Sequence, residues 1–326
     1  MKVKYILNNC AYGWGSWGDE MILDGALNVL GREDCVVAST DPAETREMHG
    51  VRAVIWDQWF HVEAETLCVA GGGWGYKPHC YSVATATQIA LNKGMKVWID
   101  AAGLSPHYGE WWKTDQVEPL RRADRFTVRD TMSRQVAAEM GIDAELVDDL
   151  ALAMGVEDWP LPSGKWLGVN LTNDDGAIAR MIPLLAALQE EGWTLLGLPT
   201  ICHKNAPRLD GHEALRKASE TLRHPIVNVR GPWHGDSVGP RRLAGLASHC
   251  KAVLSMHRHG AYLAKRVGVP AFLFDWPDDF GKPRRLEPVA EGWPPEHYCD
   301  LERDHPEEWS GLILATAERE DATDSG

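Results

Sequence analysis

Ala252-Val253-Leu254-Ser255-Met256-His257-Arg258-His259-Gly260 carries an apolar run into two imidazoles and a guanidinium, at the point where a strand hands over to a helix. Ala261-Tyr262-Leu263-Ala264-Lys265-Arg266-Val267 continues with helical character, and Gly268-Val269-Pro270 ends it. In open α/β sheets the outer end of such a strand is where ligands bind. Backbone N–H groups at the start of the following helix add positive potential there, which suits an anionic substrate group. Taken alone, the trio reads equally well as a solvated loop or as one satisfied core histidine among exposed neighbours. The rest of the chain decides between these readings.

Outward from this stretch the same alternation repeats. Upstream, strands are predicted at 166–171, 194–198 and 226–229, with helices at 177–188, 211–222 and 241–247. Downstream, 271–274 is another strand, and 309–317 is an amphipathic helix before a polar tail. Glu157-Asp158-Trp159-Pro160-Leu161-Pro162-Ser163-Gly164 combines two prolines and a glycine with no periodicity, so it reads as a linker. Before it, strands are predicted at 3–7, 35–38, 53–56, 66–70, 96–99 and 125–128, with helices starting after Glu20 and at 82–92, 116–123 and 132–140. Such alternation predicts βαβ units and mostly parallel sheets, an α/β protein of two Rossmann-like domains facing each other across a cleft. The expected limits are 1–158 and 165–304, followed by a terminal helix and tail at 305–326.

Composition narrows the function. Lys and Arg number 33 against 47 Asp and Glu, a net charge of −14 that leaves no basic footprint for nucleic acid or an anionic membrane surface. An anionic ligand must therefore be met by a local basic pocket. Hydrophobic residues at 44% and charged residues at 25% are ordinary for a soluble globular protein. Seven cysteines without a C-x-x-C pair argue against a complete disulfide framework, and reduced cytoplasmic thiols are expected. Met1 to Leu7 is too short for a signal peptide, and no apolar run approaches membrane-spanning length. Of the fifteen tryptophans, most belong in cores, and a minority are available to stack on a sugar.

Gly13, Gly15 and Gly18 fit the spacing G-x-G-x-x-G, and Asp41 falls roughly twenty residues further on, as in dinucleotide-binding proteins. That fingerprint needs its first glycine at the strand end, whereas five residues separate Leu7 from Gly13 and two tryptophans occupy the loop. A nicotinamide or flavin site is disfavoured. No P-loop sequence occurs. Cys202-His203 and the pair His257 and His259 are too sparse for a zinc site, and Asp148-Asp149 reads more readily as a cap or turn than as a metal ligand pair. No metal or cofactor is expected. Gly71-Gly72-Gly73 directly after a buried strand marks a place where backbone approaches a ligand or a helix closely.

Together these motifs resemble the polysaccharide pyruvyl transferase family, in the family's order and over most of the chain. The matching stretches are Gly13 to Glu20 with its Gly18-Asp19-Glu20, Gly71-Gly72-Gly73, Val128-Arg129-Asp130 with Ser133, Gly141-Ile142 to Asp149-Leu150-Ala151, Ser255-Met256 with His259, Gly268-Val269-Pro270, and Lys282. The resemblance implies two Rossmann-like domains of the GT-B type, shared with a large class of glycosyltransferases. It implies transfer of a pyruvyl group from phosphoenolpyruvate, as co-substrate, to two hydroxyls of a sugar or glycan, giving a cyclic ketal. His259 matches the family's motif histidine and is expected to move the proton. Arg129 and Arg258 are candidates for the donor's carboxylate or phosphate, with His257 and Lys282 beside them. Gly18, Asp19, Gly72, Gly73 and Asp149 are expected in the substrate site of the N-terminal domain, on the acceptor side. Two departures stand out: the family's Met-Arg-x-His reads here Met256-His257-Arg258-His259, and Leu150 replaces a common proline. A one-residue shift at a strand end turns a side chain to another direction. Two other readings of the chain are a nucleotide-sugar glycosyltransferase, with Arg258 and Lys282 on a diphosphate, and a non-catalytic sugar-binding relative.

Overall fold

A computed structural model describes residues 3–74, 77–104, 112, 114–200, 210–229, 239–276, 293–301 and 303–323. The chain divides into two compact units, Met1–Met154 and Gly155–Gly326.

The first unit contains β1 (Val3–Leu7), α1 (Trp17–Leu30), β2 (Cys35–Ser39), α2 (Pro42–His49), β3 (Arg52–Ile55), β4 (Ala64–Ala70) and β5 (Gly73–Trp74). It continues with α3 (Lys77–Asn92), β6 (Lys96–Leu104), α4 (Thr114–Arg121), β7 (Arg125–Val128), α5 (Thr131–Glu139) and β8 (Glu145–Leu146), then a 3-10 turn at Leu150–Ala153. Its strands run in the order β3-β2-β1-β4-β6-β7-β8, all pairs parallel, with β5 paired to β6 alone. Alternate residues of the central strands enter different cores. Ile6, Leu67 and Val69 pack with Val83, Ala86 and Ala90 of α3, whereas Tyr5, Leu7, Cys68 and Ala70 pack with Leu23, Ala26 and Leu27 of α1. A parallel sheet covered on both faces explains why these strands read as continuous apolar runs rather than alternating ones.

The second unit contains β9 (Trp166–Asn170), α6 (Asp175–Glu190), β10 (Thr194–Gly197), α7 (Gly211–Thr221), β11 (Val227–Asn228), α8 (Pro240–Ser248) and β12 (Ala252–Ser255). It ends with α9 (Arg258–Val267), β13 (Ala271–Asp275), β14 (Tyr298–Asp300) and α10 (Ser310–Thr323). The order β11-β10-β9-β12-β13-β14 is the Rossmann order 3-2-1-4-5-6, again all parallel. Both units therefore have the α/β Rossmann-like fold with parallel sheets that the alternation predicted. In each, strand order reverses between two central strands, β1 and β4 in one and β9 and β12 in the other.

The unit boundary after Met154 lies close to the expected linker, and beyond it Glu157 accepts from Arg242 Nε at 2.7 Å while its N–H donates to the Arg241 carbonyl at 3.0 Å. Ile313 and Ala317 of the terminal helix α10 are fully buried in the second unit's core. One expectation needs correction. Strand β6 continues through Asp100 to Leu104, where a loop was expected. It does so through a register shift between Ile99 and Ala102 and a left-handed Ala101 at φ 52°. Among the described residues no helix is long and apolar enough to cross a membrane.

Candidate functional site

In the second unit the opening stretch does what its spacing predicts, and places its side chains at the carboxyl end of β12. His257 is the N-cap of α9, while Arg258 and His259 are its first two residues. The cap is unusual, because the His257 side chain makes no capping bond. Its Nε2 instead lies 3.2 Å from the Leu171 carbonyl, and the residue is 8% exposed. Ser255 takes over the local bonding: its Oγ donates to the His257 carbonyl at 2.7 Å and accepts from the His257 N–H at 3.3 Å. Asn170, at the end of β9, lies 3.3 Å from that hydroxyl and donates to Leu198 O and Thr200 Oγ1. A Cβ on Gly260 would stand 2.2 Å from Ser255 Oγ, so the helix can start this close to the strand only with glycine there. The result is that Arg258 and His259, both half-buried, sit in the first turn of α9 at the reversal between β9 and β12. The His259 ring meets Tyr262 edge to face at 6.3 Å.

In the first unit the predicted residues form two groups at the carboxyl ends of the strands. Arg129 follows β7 and is brought together with Asp149, Gly72 and Gly73. Its Nη1 donates to Asp149 Oδ2 at 2.8 Å, with side chains 3% and 0% exposed. Nη2 lies 3.5 Å from where a Gly73 Cβ would be, and 2.4 Å from that of Gly103, whose N–H donates to the Gly72 carbonyl. Gly103 is thus the absent side chain that makes room for the guanidinium, whereas a Cβ at Gly73 would only touch it. Asp149 also accepts from the Ala151 N–H at 2.9 Å, and so joins a turn cap to an ion pair. Asp130 caps α5.

The second group surrounds the glycine loop. Ser16 caps α1 by accepting from the Asp19 N–H, Gly18 is buried in the first turn, and Asp19 accepts from Asn9 Nδ2 at 3.4 Å. Gly13 has φ 79° and packs on Ser39 and the Asp41 backbone; Asp41 itself caps α2 by accepting from Glu44. With Gly13 packed and Asp41 engaged in a cap, the dinucleotide reading has no free fingerprint left. Cys10, left-handed at φ 64° in the same region, is no ready nucleophile, because burial pushes its thiol up to about 12.

Residues the sequence reading passed over are Asn9, Asn170 and His49, and Glu20 entered it only as part of the Gly18-Asp19-Glu20 motif. Asn9 lies two residues past the end of β1 and Asn170 ends β9, and a polar residue at a strand end is the signal that could have marked them. Glu20 and Asp24 are one helical turn apart on the buried side of α1, a second usable signal. Lys282, Gly75, Cys202 and His203 lie outside the described residues. The six described cysteines are free, and among the described residues no group of three or more His, Cys, Asp or Glu side chains is placed to hold a metal.

Two parallel, doubly wound units, each with polar side chains gathered where its strand order reverses, define a two-unit Rossmann-like protein with binding edges of the usual kind. The sequence profile of the polysaccharide pyruvyl transferase family matches residues 18–279. The chain belongs to that family and is a transferase. No curated protein sequence matches it. Among solved structures it is similar to a putative UDP-N-acetylglucosamine 2-epimerase from Listeria monocytogenes, at 12% identity over 99% of this chain and 90% of that one, TM-score 0.62. It is also similar to UDP-GlcNAc 2-epimerase from Methanocaldococcus jannaschii, at 11% identity over 98% and 92%, TM-score 0.59. The structure of that enzyme in complex with UDP-GlcNAc and UDP matches at 10% identity over 97% and 93%, TM-score 0.56. At such identities the likeness is one of fold.

Proposed function

We propose that the protein transfers the pyruvyl group of phosphoenolpyruvate to two hydroxyls of one sugar, forming a cyclic ketal and releasing phosphate. The observation that carries this reading is the seating of Arg258 and His259 in the first turn of α9, at the strand reversal, in a chain of this family. A proton passes to C3 of the enol, which becomes the methyl group, and C2 becomes an oxocarbenium centre. One sugar oxygen bonds to C2 and loses its proton. The C2–O bond to phosphate breaks, and the second sugar oxygen takes that place as its own proton leaves. Of the two hydroxyl protons, one balances that given to C3 and the other departs with phosphate. His259, in the first turn of α9, is assigned as the proton-transfer group. Arg258 and the first-turn N–H groups stabilise the donor's carboxylate and the departing phosphate, with Lys282 as a further cation. His257, held on Leu171, fixes the start of α9. On the acceptor side Asp19 accepts sugar hydroxyls beside Gly18. Arg129, paired with Asp149 and lying against Gly103, borders the Gly72-Gly73 turn.

The solved neighbours give a second reading its footing, since one of them holds UDP-GlcNAc and UDP. Here the same edge of the second unit would take a nucleotide sugar. Thermal-shift titration separates the two, because a ligand bound to the native state alone raises its stability by about 2.7 kcal/mol at one hundred times Kd. Phosphoenolpyruvate is expected to raise Tm. A rise with nucleotide sugars and none with phosphoenolpyruvate overturns the first reading in favour of the second.

A further inference from the structure

Beneath the glycine loop of the first unit lies a closed ionic cluster that the proposed chemistry does not use. Glu20 receives two bonds: the Gly13 N–H donates to Oε1 at 2.8 Å, and His49 Nε2 stands 2.8 Å from Oε2. The other imidazole nitrogen, Nδ1, is 3.5 Å from Asp24 Oδ1. Arg32 closes the set, with Nη2 on Asp24 at 2.7 Å and Nη1 donating to the His49 carbonyl at 2.7 Å. The side chains of His49, Glu20 and Asp24 are 0%, 4% and 1% exposed. Two carboxylates against one guanidinium and one imidazole balance only when His49 is protonated on both nitrogens. Burial alone would lower its pKa, but the bonds from Asp24 and Glu20 outweigh it and raise the value to about 9.

A cluster of this kind is not the cheapest way to fill a core, since apolar residues of similar volume often serve as well or better. Among its bonds to the rest of the molecule, Arg32 Nη2 donates to Asn28 Oδ1 at 2.9 Å, and Glu20 accepts from the amide of Gly13 at 2.8 Å. That amide begins the turn in which Gly13 and Gly15 take φ 79° and 89°, Ser16 caps α1, and Asp19 meets Asn9.

We propose that His49 is a positioning residue: acting through Glu20, it holds the Gly13 to Gly18 loop in the conformation that presents Asp19 to the acceptor sugar at the carboxyl end of β1. The proposal rests on the acceptor role given to Asp19 above.

The test compares His49→Leu, which keeps bulk but removes the bond to Glu20, with His49→Gln, which retains a donor. Deuterium exchange of the peptide spanning Gly13 to Asp19 is read together with KM for the acceptor, KM for phosphoenolpyruvate, and kcat. In His49→Leu the peptide is expected to exchange at least tenfold faster and the acceptor KM to rise about tenfold, as for loss of a charge-assisted bond. The KM for phosphoenolpyruvate is expected to stay within twofold, and His49→Gln to recover most of both effects. Unchanged exchange in His49→Leu overturns the clamp, and so does faster exchange with an unchanged acceptor KM. An equal loss toward both substrates overturns it as well. Should His49→Leu fail to fold, the same readouts on Glu20→Met, which removes the acceptor for the Gly13 N–H, decide with the same outcomes. If the wild-type protein transfers no pyruvyl group, it is the functional reading that fails; the clamp on the loop is then judged by exchange alone.

Discussion

His259 and His49 are imidazoles under opposite constraints, and the contrast shows what single positions do here. His259 sits half-buried in a helix's first turn, where the proposed reading gives it the proton transfer. His259→Ala is expected to lower turnover by about 10²–10⁴-fold, while the thermal unfolding midpoint stays close to wild type; full activity would refute its role. His49 is held between carboxylates and titrates near 9, against an ordinary value of 6.5. Because the folded-state pKa is the raised one, its contribution to stability is complete below pH 6.5 and is lost as pH climbs through about 9. Urea unfolding of wild type is expected to weaken across that window by on the order of 3 kcal/mol, and His49→Leu should lack this part of the slope. A slope equal in both proteins contradicts the assignment. The motif histidine was legible because a strand-to-helix transition in sequence is local. His49 was not, since its partners lie 29 and 25 positions upstream and only the folded helices bring them together.

At the level of elements, periodicity and apolar runs located most strands and helices, and they did so for a physical reason. Strands covered on both faces must be continuously apolar, and Leu67-Cys68-Val69-Ala70 and Ala252-Val253-Leu254 are so in sequence and in burial alike. Short strands escaped notice: β5 has two residues and β8 two, too few for any pattern, and their pairing comes from neighbours rather than from propensity. Helix α2 escaped too, although Asp41-Pro42 is a cap followed by a first-turn proline, because Asp41 invited a nucleotide reading instead. The α1 helix shows how one small residue sets an approach distance. A Cβ at Gly25 would lie 1.8 Å from the Leu150 carbonyl, which is backbone and cannot swing aside. Gly25→Ala is therefore expected to push α1 from the Leu150–Ala153 turn and to destabilise the protein by about 1–3 kcal/mol, measured by denaturant unfolding. Neutral behaviour would show that the turn yields freely. The same turn carries Asp149, so a shift there also disturbs Arg129.

For the molecule as a whole, the two-unit organisation was legible from the repetition of βαβ patterns on either side of a proline-bearing linker. Glu157 and Asp158, polar in sequence, pair within the second unit with Arg242 and His249. Strand order lay beyond the sequence, which shows where strands are but not which are neighbours. Each unit has a separate apolar core, and each brings its polar groups to the carboxyl ends of its central strands. With a net charge of −14, the proposed reading requires local cations rather than the overall field to hold an anionic donor, and it assigns that task to Arg258 with the α9 amides. The central claim is chemical, and the most direct measurement is chemical too: incubation with candidate sugars and phosphoenolpyruvate labelled at C2, following phosphate and the labelled carbon together. The expected result is phosphate released in equal amount to a labelled ketal carbon attached to the sugar. Absence of any labelled sugar in the presence of active, folded protein, or label recovered only as free pyruvate, contradicts the account.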